Sequence, residues 1–257
     1  MKKMNDFWED QAEKHGFDVE AVNYDPHGED LEMFVLQDLI EDGQRICDLG
    51  CGNGRTVLQL AEQNQKAEFV GVDSSASMIE VAETIREGER FDNVTFHHHD
   101  AREENVTELF DQKFDIVITK RLLINVQGEE KLHVIDNIDA ILKHDGVYLM
   151  IECFLEPLKN TNDVRELIGL SRIEVKRFNE YLTHDFFEEI DDRFDIRESI
   201  EFGSFYYFIS RVFNAYLADG EPNYHTRINK LAVELSKQGV VDFDGYGPEV
   251  LHILEKP

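Results

Sequence analysis

A glycine-rich turn is the segment of the chain whose residue types and spacing most clearly suggest chemistry. Asp48-Leu49-Gly50-Cys51-Gly52-Asn53-Gly54 follows a short apolar run and precedes a segment with helical periodicity. Glycines in such a turn let the backbone bend tightly and approach a ligand without an intervening Cβ atom. The helix that follows directs free N–H groups and the positive end of its dipole at the same point. The pattern therefore indicates a binding site for a nucleotide-like ligand.

Two further acidic residues follow neighbouring apolar runs. Asp73 comes after Val70-Gly71-Val72, about 20 residues beyond the glycine-rich turn, where an acidic side chain can bind both hydroxyls of a ribose. Asp100 follows the third run, where a carboxylate can accept a hydrogen bond from an exocyclic amine such as adenine N6. The carboxyl ends of parallel strands share one edge of a sheet, so Asp48, Asp73 and Asp100 are predicted to converge on one ligand.

The glycine spacing does not favour a dinucleotide. The pattern is Gly-x-Gly-x-Gly, and Arg55 stands where a dinucleotide site needs its third glycine. Asp48 would repel a pyrophosphate but would attract an ammonium or sulfonium group. The alternative for Asp48 is a carboxylate that only ties down its own loop. For the whole pattern, a nicotinamide-dependent oxidoreductase is the alternative.

Alternating strands and helices must position these residues. The apolar runs predict strands at 45–49, 67–72, 94–98, 114–119 and 147–151, with helices at 56–63, 76–87 and 128–142. This alternation predicts right-handed βαβ units and a parallel sheet. Further strands are predicted at 194–200 and 249–254, and further helices at 163–170, 205–217 and 226–235. The predicted fold is α/β, a doubly wound, mostly parallel seven-stranded sheet with a helical cap in the C-terminal half.

The charge balance restricts the expected partners. The chain of 257 residues has 54 acidic and 26 basic residues, giving a formal net charge of −28. Nucleic-acid phosphates and anionic lipids require a positive footprint, so neither nucleic acid nor membrane is an expected partner. Three cysteines do not suggest a disulfide framework, and we see no apolar leader and no apolar run of ~18 residues. A cytoplasmic protein is the expectation.

These residues together resemble the class I S-adenosylmethionine-dependent methyltransferases. The resemblance rests on residues 48–54, on Gly71-Val72-Asp73-Ser74-Ser75 with Met78, and on His99-Asp100-Ala101. Two further segments, Phe114-Asp115-Ile116-Val117-Ile118-Thr119 and Ile141-Leu142-Lys143-His144-Asp145-Gly146, resemble the fourth-strand motif and the "Leu-Lys-Pro-Gly-Gly" turn of that family. His144 and Asp145 depart from that turn. The resemblance covers about residues 44–152.

The resemblance implies S-adenosylmethionine as cofactor and S-adenosylhomocysteine as product. It implies that Gly50 and Gly52 let the cofactor approach, that Asp48 lies near its amino-acid part and that Asp73 holds the ribose. Asp100 and the Ala101 backbone would hold the adenine. The predicted cofactor-binding residues are Asp48, Gly50, Cys51, Gly52, Asp73, Ser74, Met78, Asp100, Ala101 and Thr119.

The acceptor of the methyl group needs residues of its own. Displacement at a sulfonium has a good leaving group, so positioning and proton removal are the main tasks left to the protein. The predicted catalytic residues are Arg121, which could clamp an anionic group, Glu152, and His184 as a possible general base. The predicted substrate-binding residues are Asn125, Asn179, Tyr181, Tyr206, Tyr207 and Arg211.

Structural roles are the alternatives for several of these residues. A surface ion pair would account for Arg121, a solvated first helical turn for His184, and packing between cap and core for the tyrosine rings. The run His97-His98-His99 is not predicted to bind a metal, because successive residues of a strand point to opposite faces. No metal site is expected.

The predicted organisation is one compact domain with three regions. A helical segment at 1–43 covers the cofactor site, residues 44–154 form the cofactor-binding core, and residues 155–257 add the remaining strands. The cap, at about 155–193 and 203–248, is predicted to hold a small acceptor that is methylated on oxygen or nitrogen. Part of the C-terminal half resembles methyltransferases of bacterial sugar and surface-glycan pathways. A non-catalytic protein that binds S-adenosylmethionine is a further alternative.

Overall fold

A computed structural model describes residues 2–18, 25–239 and 241–257, with side chains described from Phe7 onward. The strands are β1 Arg45–Leu49, β2 Glu68–Asp73, β3 Val94–His98, β4 Phe114–Lys120, β5 Leu142–Cys153, β6 Asp195–Ile200 and β7 Glu249–Glu255. The helices up to the fifth strand are α1 Lys2–His15, α2 Pro26–Gln37, α3 Arg55–Gln63, α4 Ala76–Glu89 and α5 Glu130–Ile141. Those that follow are α6 Leu155–Leu167, α7 Phe186–Glu189, α8 Ser204–Phe208, α9 Ala215–Leu217 and α10 Arg227–Lys237.

The seven strands form one sheet in the order β3-β2-β1-β4-β5-β7-β6. Strands β1 to β5 are parallel to one another, and β7 runs antiparallel to both β5 and β6. This confirms the predicted α/β class and the mostly parallel seven-stranded sheet. The chain reverses its winding direction between β1 and β4, and in such sheets ligands bind in the crevice beyond the carboxyl ends at this point.

Burial on both faces explains why the central strands are almost entirely apolar. Phe114, Tyr148 and Ile138 belong to the core on one face of the sheet, and Leu60 and Phe69 to the core on the other. A parallel strand covered on both sides has no solvated face, so its sequence does not alternate between apolar and polar residues. The two cores hold the carboxyl edge in a fixed position.

The N-terminal helices lie over this edge. Glu9 of α1 accepts hydrogen bonds from the N–H groups of Ala76 and Ser77, at 3.0 and 3.2 Å, at the start of α4. Ala12 packs with Met78 in a small apolar cluster. The region 1–43 is helical where described, but Met1 and residues 19–24 lie outside the described residues. That residues 1–43 form a region of their own over the cofactor site stays a prediction.

The cap differs in detail from its predicted helices. Helix α6 begins at Leu155, well before the expected helix at 163–170, and ends at Leu167. The helical stretch predicted over 205–217 contains a π-helical turn at Ile209–Asn214 between α8 and α9. Among the described residues, no helix combines the length and the apolar composition that crossing a bilayer requires.

Candidate functional site

A cavity of about 470 Å³ lies at the carboxyl edge of the sheet, between the strand ends, the N-terminal helices and the cap. Nine of the predicted cofactor residues line it: Asp48, Gly50, Cys51, Gly52, Asp73, Ser74, Met78, Asp100 and Ala101. Seven residues predicted for the acceptor side also line it: Arg121, Asn125, Asn179, Tyr181, Tyr206, Tyr207 and Arg211. The cavity volume is in the usual range for small-molecule sites.

The glycines of the turn are required by the protein's own packing as well as by any ligand. Gly54, with φ of +74°, precedes α3, and a Cβ atom there would lie 2.6 Å from the Phe96 ring. A Cβ atom on Gly71 would lie 2.5 Å from the same ring. Gly50 has φ of +86°, and its N–H donates to the carbonyl of Val72 at 2.7 Å. A positive φ favours glycine, so the backbone of the turn itself requires glycine at Gly50 and Gly54.

Asp73 is fixed by two backbone hydrogen bonds at the end of β2. Its Oδ2 accepts from the N–H of Gly52 and its Oδ1 from the N–H of Ser75, both at 2.8 Å. Burial raises the pKa of the carboxyl group despite these hydrogen bonds. A carboxylate offers about four acceptor positions, so each oxygen keeps capacity for a ligand hydroxyl.

Asp48 is a buried carboxylate that lacks a full set of partners. The residue is 3% exposed, and its Oδ1 makes no hydrogen bond with any of the described residues. Burial raises the pKa of Asp48 to about 7, an effect that nearby Lys120 opposes. A buried acceptor without a partner is costly, so a cationic or hydrogen-bond-donating ligand group would be stabilised there.

Tyrosines and two arginines characterise the acceptor side of the cavity. The Tyr206 hydroxyl donates to Asp25, and Arg211 donates to the same carboxylate at 2.8 Å. The Arg211 guanidinium lies 5.0 Å from the ring centroid of Tyr207 and 4.4 Å from that of Tyr224. These contacts hold the tyrosine rings in place along the cavity wall.

Arg121 is bound within a cluster of charges and is not a free clamp. Its guanidinium donates to Glu32 at 2.5 Å and also to Glu249, while Lys120 lies 2.7 Å from Glu32. Glu32 is fully buried on α2. The predicted alternative of an ion pair is confirmed, but the pair is not at the surface, because only 17% of the Arg121 side chain is exposed. Arg121 joins the N-terminal helices to the sheet edge.

A family model described as "Methyltransferase domain" matches residues 40–200, more than half of the chain. The chain belongs to this methyltransferase family. The sequence-based expectation of a class I, S-adenosylmethionine-dependent methyltransferase is thereby confirmed at the level of the family. The alternative of a nicotinamide-dependent oxidoreductase receives no support.

Curated relatives of the family have different acceptors. A protein-lysine N-methyltransferase of Saccharomyces cerevisiae is 31% identical over 124 residues, which is 44% of this chain and 53% of the relative. A carboxy-S-adenosyl-L-methionine synthase of Nautilia profundicola is 24% identical over 184 residues, 66% of this chain and 72% of the relative. The match thus spans about half the length of the yeast enzyme.

Solved structures show the same fold over most of the chain. A putative methyltransferase of Haloferax volcanii, in complex with the Trm112 activator, has a TM-score of 0.58 at 16% identity and covers 99% of this chain and 96% of its own. Coclaurine N-methyltransferase bound to N-methylheliamine and S-adenosylhomocysteine has a TM-score of 0.56 at 17% identity, covering 90% and 72%.

The residues present fit the cofactor of this family. S-Adenosylmethionine carries an ammonium and a sulfonium group, and the incompletely partnered carboxylate of Asp48 suits a cation. Asp73 has the orientation and remaining acceptor capacity to hold ribose hydroxyls. Asp48 is the last residue but one of β1 and Asp73 is the last residue of the neighbouring β2, and both line the same cavity. When bound, the cofactor supplies an electrophilic methyl group.

The structure places Asp100 in an ion pair that its predicted role did not include. Oδ1 of Asp100 accepts from the backbone N–H and the Nε of Arg102, at 3.0 and 2.8 Å, and Oδ2 accepts from the guanidinium. Although burial opposes ionisation, these hydrogen bonds hold the pKa of Asp100 below its usual range. An adenine amine would therefore share this carboxylate with Arg102.

The structure does not support the predicted catalytic role of Glu152, which is absent from the lining of the cavity. Glu152 is fully buried, and its carboxylate accepts the N–H groups of Leu123 and Ile124 at 2.9 and 3.3 Å. Residues alternate between the faces of a strand, and it is the next residue, Cys153, that lines the cavity. Burial raises the pKa of Glu152 to about 7. Glu152 stabilises the turn after β4.

Two other predicted residues also lie away from the cavity. His184 is exposed, stacks on Phe154 with ring centroids 5.6 Å apart, and lies 3.4 Å from the carboxylate of Glu156. Thr119 is fully buried, with its Oγ1 2.7 Å from the hydroxyl of Tyr148. Neither side chain reaches the cavity, so the expected roles of His184 in catalysis and of Thr119 in cofactor binding are not supported.

Sequence reasoning missed the acidic residues that join separate parts of the chain at this site. Asp25, Glu32 and Glu249 contact the cap or the sheet edge from distant positions in the sequence. Asp25-Pro26 does carry a local signal, the start of a helix, and Asp25 is indeed the N-cap of α2. No local pattern indicates the partners of Glu32 or Glu249.

Proposed function

We propose that this protein transfers the methyl group of S-adenosylmethionine to an oxygen or nitrogen of a small-molecule acceptor. The observation that carries the proposal is that Asp48 and Asp73 share one cavity with Tyr181, Tyr206 and Tyr207. The carboxylates suit the cofactor, and the tyrosine side suits an acceptor placed next to the methyl group. Holding both reactants in one cavity replaces an encounter in solution with a positioned displacement.

The enclosure of the cavity favours a small acceptor over a protein side chain. The hydrogen bonds between Asp25 and Tyr206 connect α2 to α8 at the cavity, and Asn179 donates to Asn125 at 2.9 Å beside it. Amide and hydroxyl groups on this side match the hydroxyls of a sugar or glycan precursor, the acceptor class we favour. We place the reaction in the cytoplasm, because all three cysteines are buried free thiols.

Two measurements test this proposal. Calorimetric titration with S-adenosylhomocysteine should show binding that Asp73→Ala weakens at least about tenfold, and a matched Glu255→Gln variant should bind normally. Incubation with methyl-labelled S-adenosylmethionine and a cell extract should place the label in the low-molecular-weight fraction. Label found only in protein would overturn the small-molecule acceptor. Tight binding with no transfer at all would support the non-catalytic alternative.

A further inference from the structure

Glu249 is a carboxylate on the acceptor side of the cavity, and it has no role in the proposed function as described above. It is the first residue of β7, opposite Cys153 of β5, and its side chain is 20% exposed. Glu249, Cys153 and Tyr181 all line the cavity. The backbone before Glu249 is also held, since the carbonyl of Pro248 accepts the N–H of Phe154 at 2.8 Å.

Arg121 places Glu249 in a cluster of two carboxylates and two cations. Arg121 donates to both Glu249 and Glu32, whereas Lys120 pairs with Glu32 and also donates to the hydroxyl of Thr56. Glu32 therefore has two cationic partners and Glu249 has one. A proton that enters the cluster goes to Glu249, because neutralising Glu249 gives up one ion pair, whereas neutralising Glu32 would give up two.

The electrostatic effects on the two carboxyl groups agree with this order. Burial raises the pKa of Glu249 well above its usual range, and the charge of Glu32 raises it further, against the opposing effect of Arg121. Although Glu32 is also buried, Arg121 and Lys120 hold its pKa well below the usual range. The titratable and charged groups that face Glu249 are Arg121, Lys120, Glu32, Cys153 and Tyr181.

We propose that Glu249 is the general base that takes the proton from the nucleophilic oxygen or nitrogen of the acceptor. This inference rests on the proposed function. As the nucleophile bonds to the methyl carbon, the carbon–sulfur bond breaks and its electron pair stays on sulfur. The acceptor's proton moves to the carboxylate of Glu249, which becomes neutral. No further oxidant, reductant or co-reactant is needed.

The other carboxylates on the cavity are less suited to take the proton of the acceptor. Asp48 and Asp73 face the cofactor part, Asp25 binds Tyr206 and Arg211, Asp100 binds Arg102, and Glu174 is exposed to solvent. Glu249 is partly exposed to the cavity, and it belongs to a charge cluster that can take up one proton. Arg121, whose φ of +57° is rare for a residue with a side chain, is the positioning residue that holds Glu249 in this cluster.

The first test follows the proton directly in the protein with S-adenosylhomocysteine bound. In protein labelled with ¹³C at the glutamate carboxyl carbon, the resonance of Glu249 is identified as the one that is absent from Glu249→Gln. In the wild type, the midpoint of its titration should lie at a much higher pH than that of an ordinary glutamate. Glu32→Gln should move this midpoint to lower pH, because it removes the negative charge that raises the pKa of Glu249. Glu255→Gln, on the same strand, should leave the midpoint unchanged. A resonance that titrates near pH 4.5 would overturn the proposal.

The second test measures transfer to three probes, catechol, tyramine and methyl glucoside, from methyl-labelled S-adenosylmethionine. The wild-type kcat should rise with pH through the midpoint seen by NMR. Glu249→Gln should lower kcat about 100-fold and abolish this rise, with the Kd for S-adenosylhomocysteine within twofold. An unchanged kcat and pH profile in Glu249→Gln would overturn the proposal. Cofactor binding without methylation of any probe would count against the proposed acceptor class. The NMR titration would then decide whether Glu249 takes up the proton.

Discussion

The hydroxyl of Tyr206 lies 2.8 and 3.0 Å from the two carboxylate oxygens of Asp25, so that α8 of the cap is hydrogen-bonded to the first residue before α2. The same carboxylate accepts the N–H groups of His27 and Gly28 and thereby caps α2. One side chain thus fixes both the start of a helix and the contact between two regions distant in sequence. The acceptor side of the cavity depends on this contact for its shape.

Replacing Tyr206 with phenylalanine tests this contact. The ring still fills its buried position, but Asp25 loses one donor and keeps Arg211. We expect the free energy of unfolding, measured in urea, to fall by about 1 kcal/mol, the usual net value of one hydrogen bond. The Kd for S-adenosylhomocysteine should stay within twofold, since Tyr206 lies on the acceptor side. A tenfold weaker cofactor affinity would contradict this division of the cavity.

Replacing Asp73 with alanine should have a larger effect on the cofactor than replacing Asp100. Loss of a charged hydrogen-bond partner costs about 1.5–3 kcal/mol, which is roughly a tenfold or greater increase in Kd. Asp100→Ala should cost less, because Arg102 already occupies much of that carboxylate. Calorimetry with S-adenosylhomocysteine measures both values. Equal losses in the two variants would show that the ion pair with Arg102 opens when the ligand binds.

Replacing Gly71 with alanine should destabilise the fold through Phe96. The added Cβ atom would lie 2.5 Å from the Phe96 ring and 2.9 Å from Sγ of Cys51, so the core must shift to admit it. Such overpacking costs about 1–3 kcal/mol in the free energy of unfolding. In protein that already carries Phe96→Leu, Gly71→Ala should lower the free energy of unfolding by less than it does in the wild type. An equal loss in both proteins would mean that the strain comes from another neighbour.

Replacing Glu152 with glutamine should flatten the pH dependence of stability. Burial raises the pKa of Glu152 from 4.5 to about 7, so the folded protein binds one more proton than the unfolded chain between these values. This contribution to stability is fully present below pH 4.5 and is lost as the pH rises to about 7. Glu152→Gln removes it. Urea unfolding of both proteins from pH 4.5 to 8 should show the difference, and parallel curves would contradict it.

The sheet and the cofactor side of the cavity could be predicted because their signals are local. Asp48 and Asp73 lie near the carboxyl ends of two buried strands, and β1 and β2 pair in parallel, so the two carboxylates share one edge. Each strand and the glycines or acidic residue at its end lie within a few residues of one another, so the sequence alone indicates where the two carboxylates lie. The roles of these side chains toward a ligand stay predictions, whereas their common position on one cavity follows from the register of the strands.

The acceptor side could not be predicted in the same way. Whether Glu152 faces the cavity depends on the N–H groups of Leu123 and Ile124, which take up its carboxylate from another segment. Glu249 shares Arg121 with Glu32 only because α2 and β7 meet over the end of β4. Pairings between distant segments leave no periodicity in the sequence, so the sequence offers His184 as a base and carries no signal for Glu249.

The position of β7 has a consequence for the order in which the molecule is completed. Strand β6 lies at the edge of the sheet and pairs with β7, and β7 lies between β5 and β6 although it is the last of the seven along the chain. During synthesis, β6 leaves the ribosome without a neighbour and must wait for β7 before it can join the sheet. The parallel strands β1 to β5 have no such dependence. Glu249 therefore arrives at the cavity in the same step that closes the sheet, and a nascent chain with a formed cofactor side still lacks this carboxylate of the acceptor side.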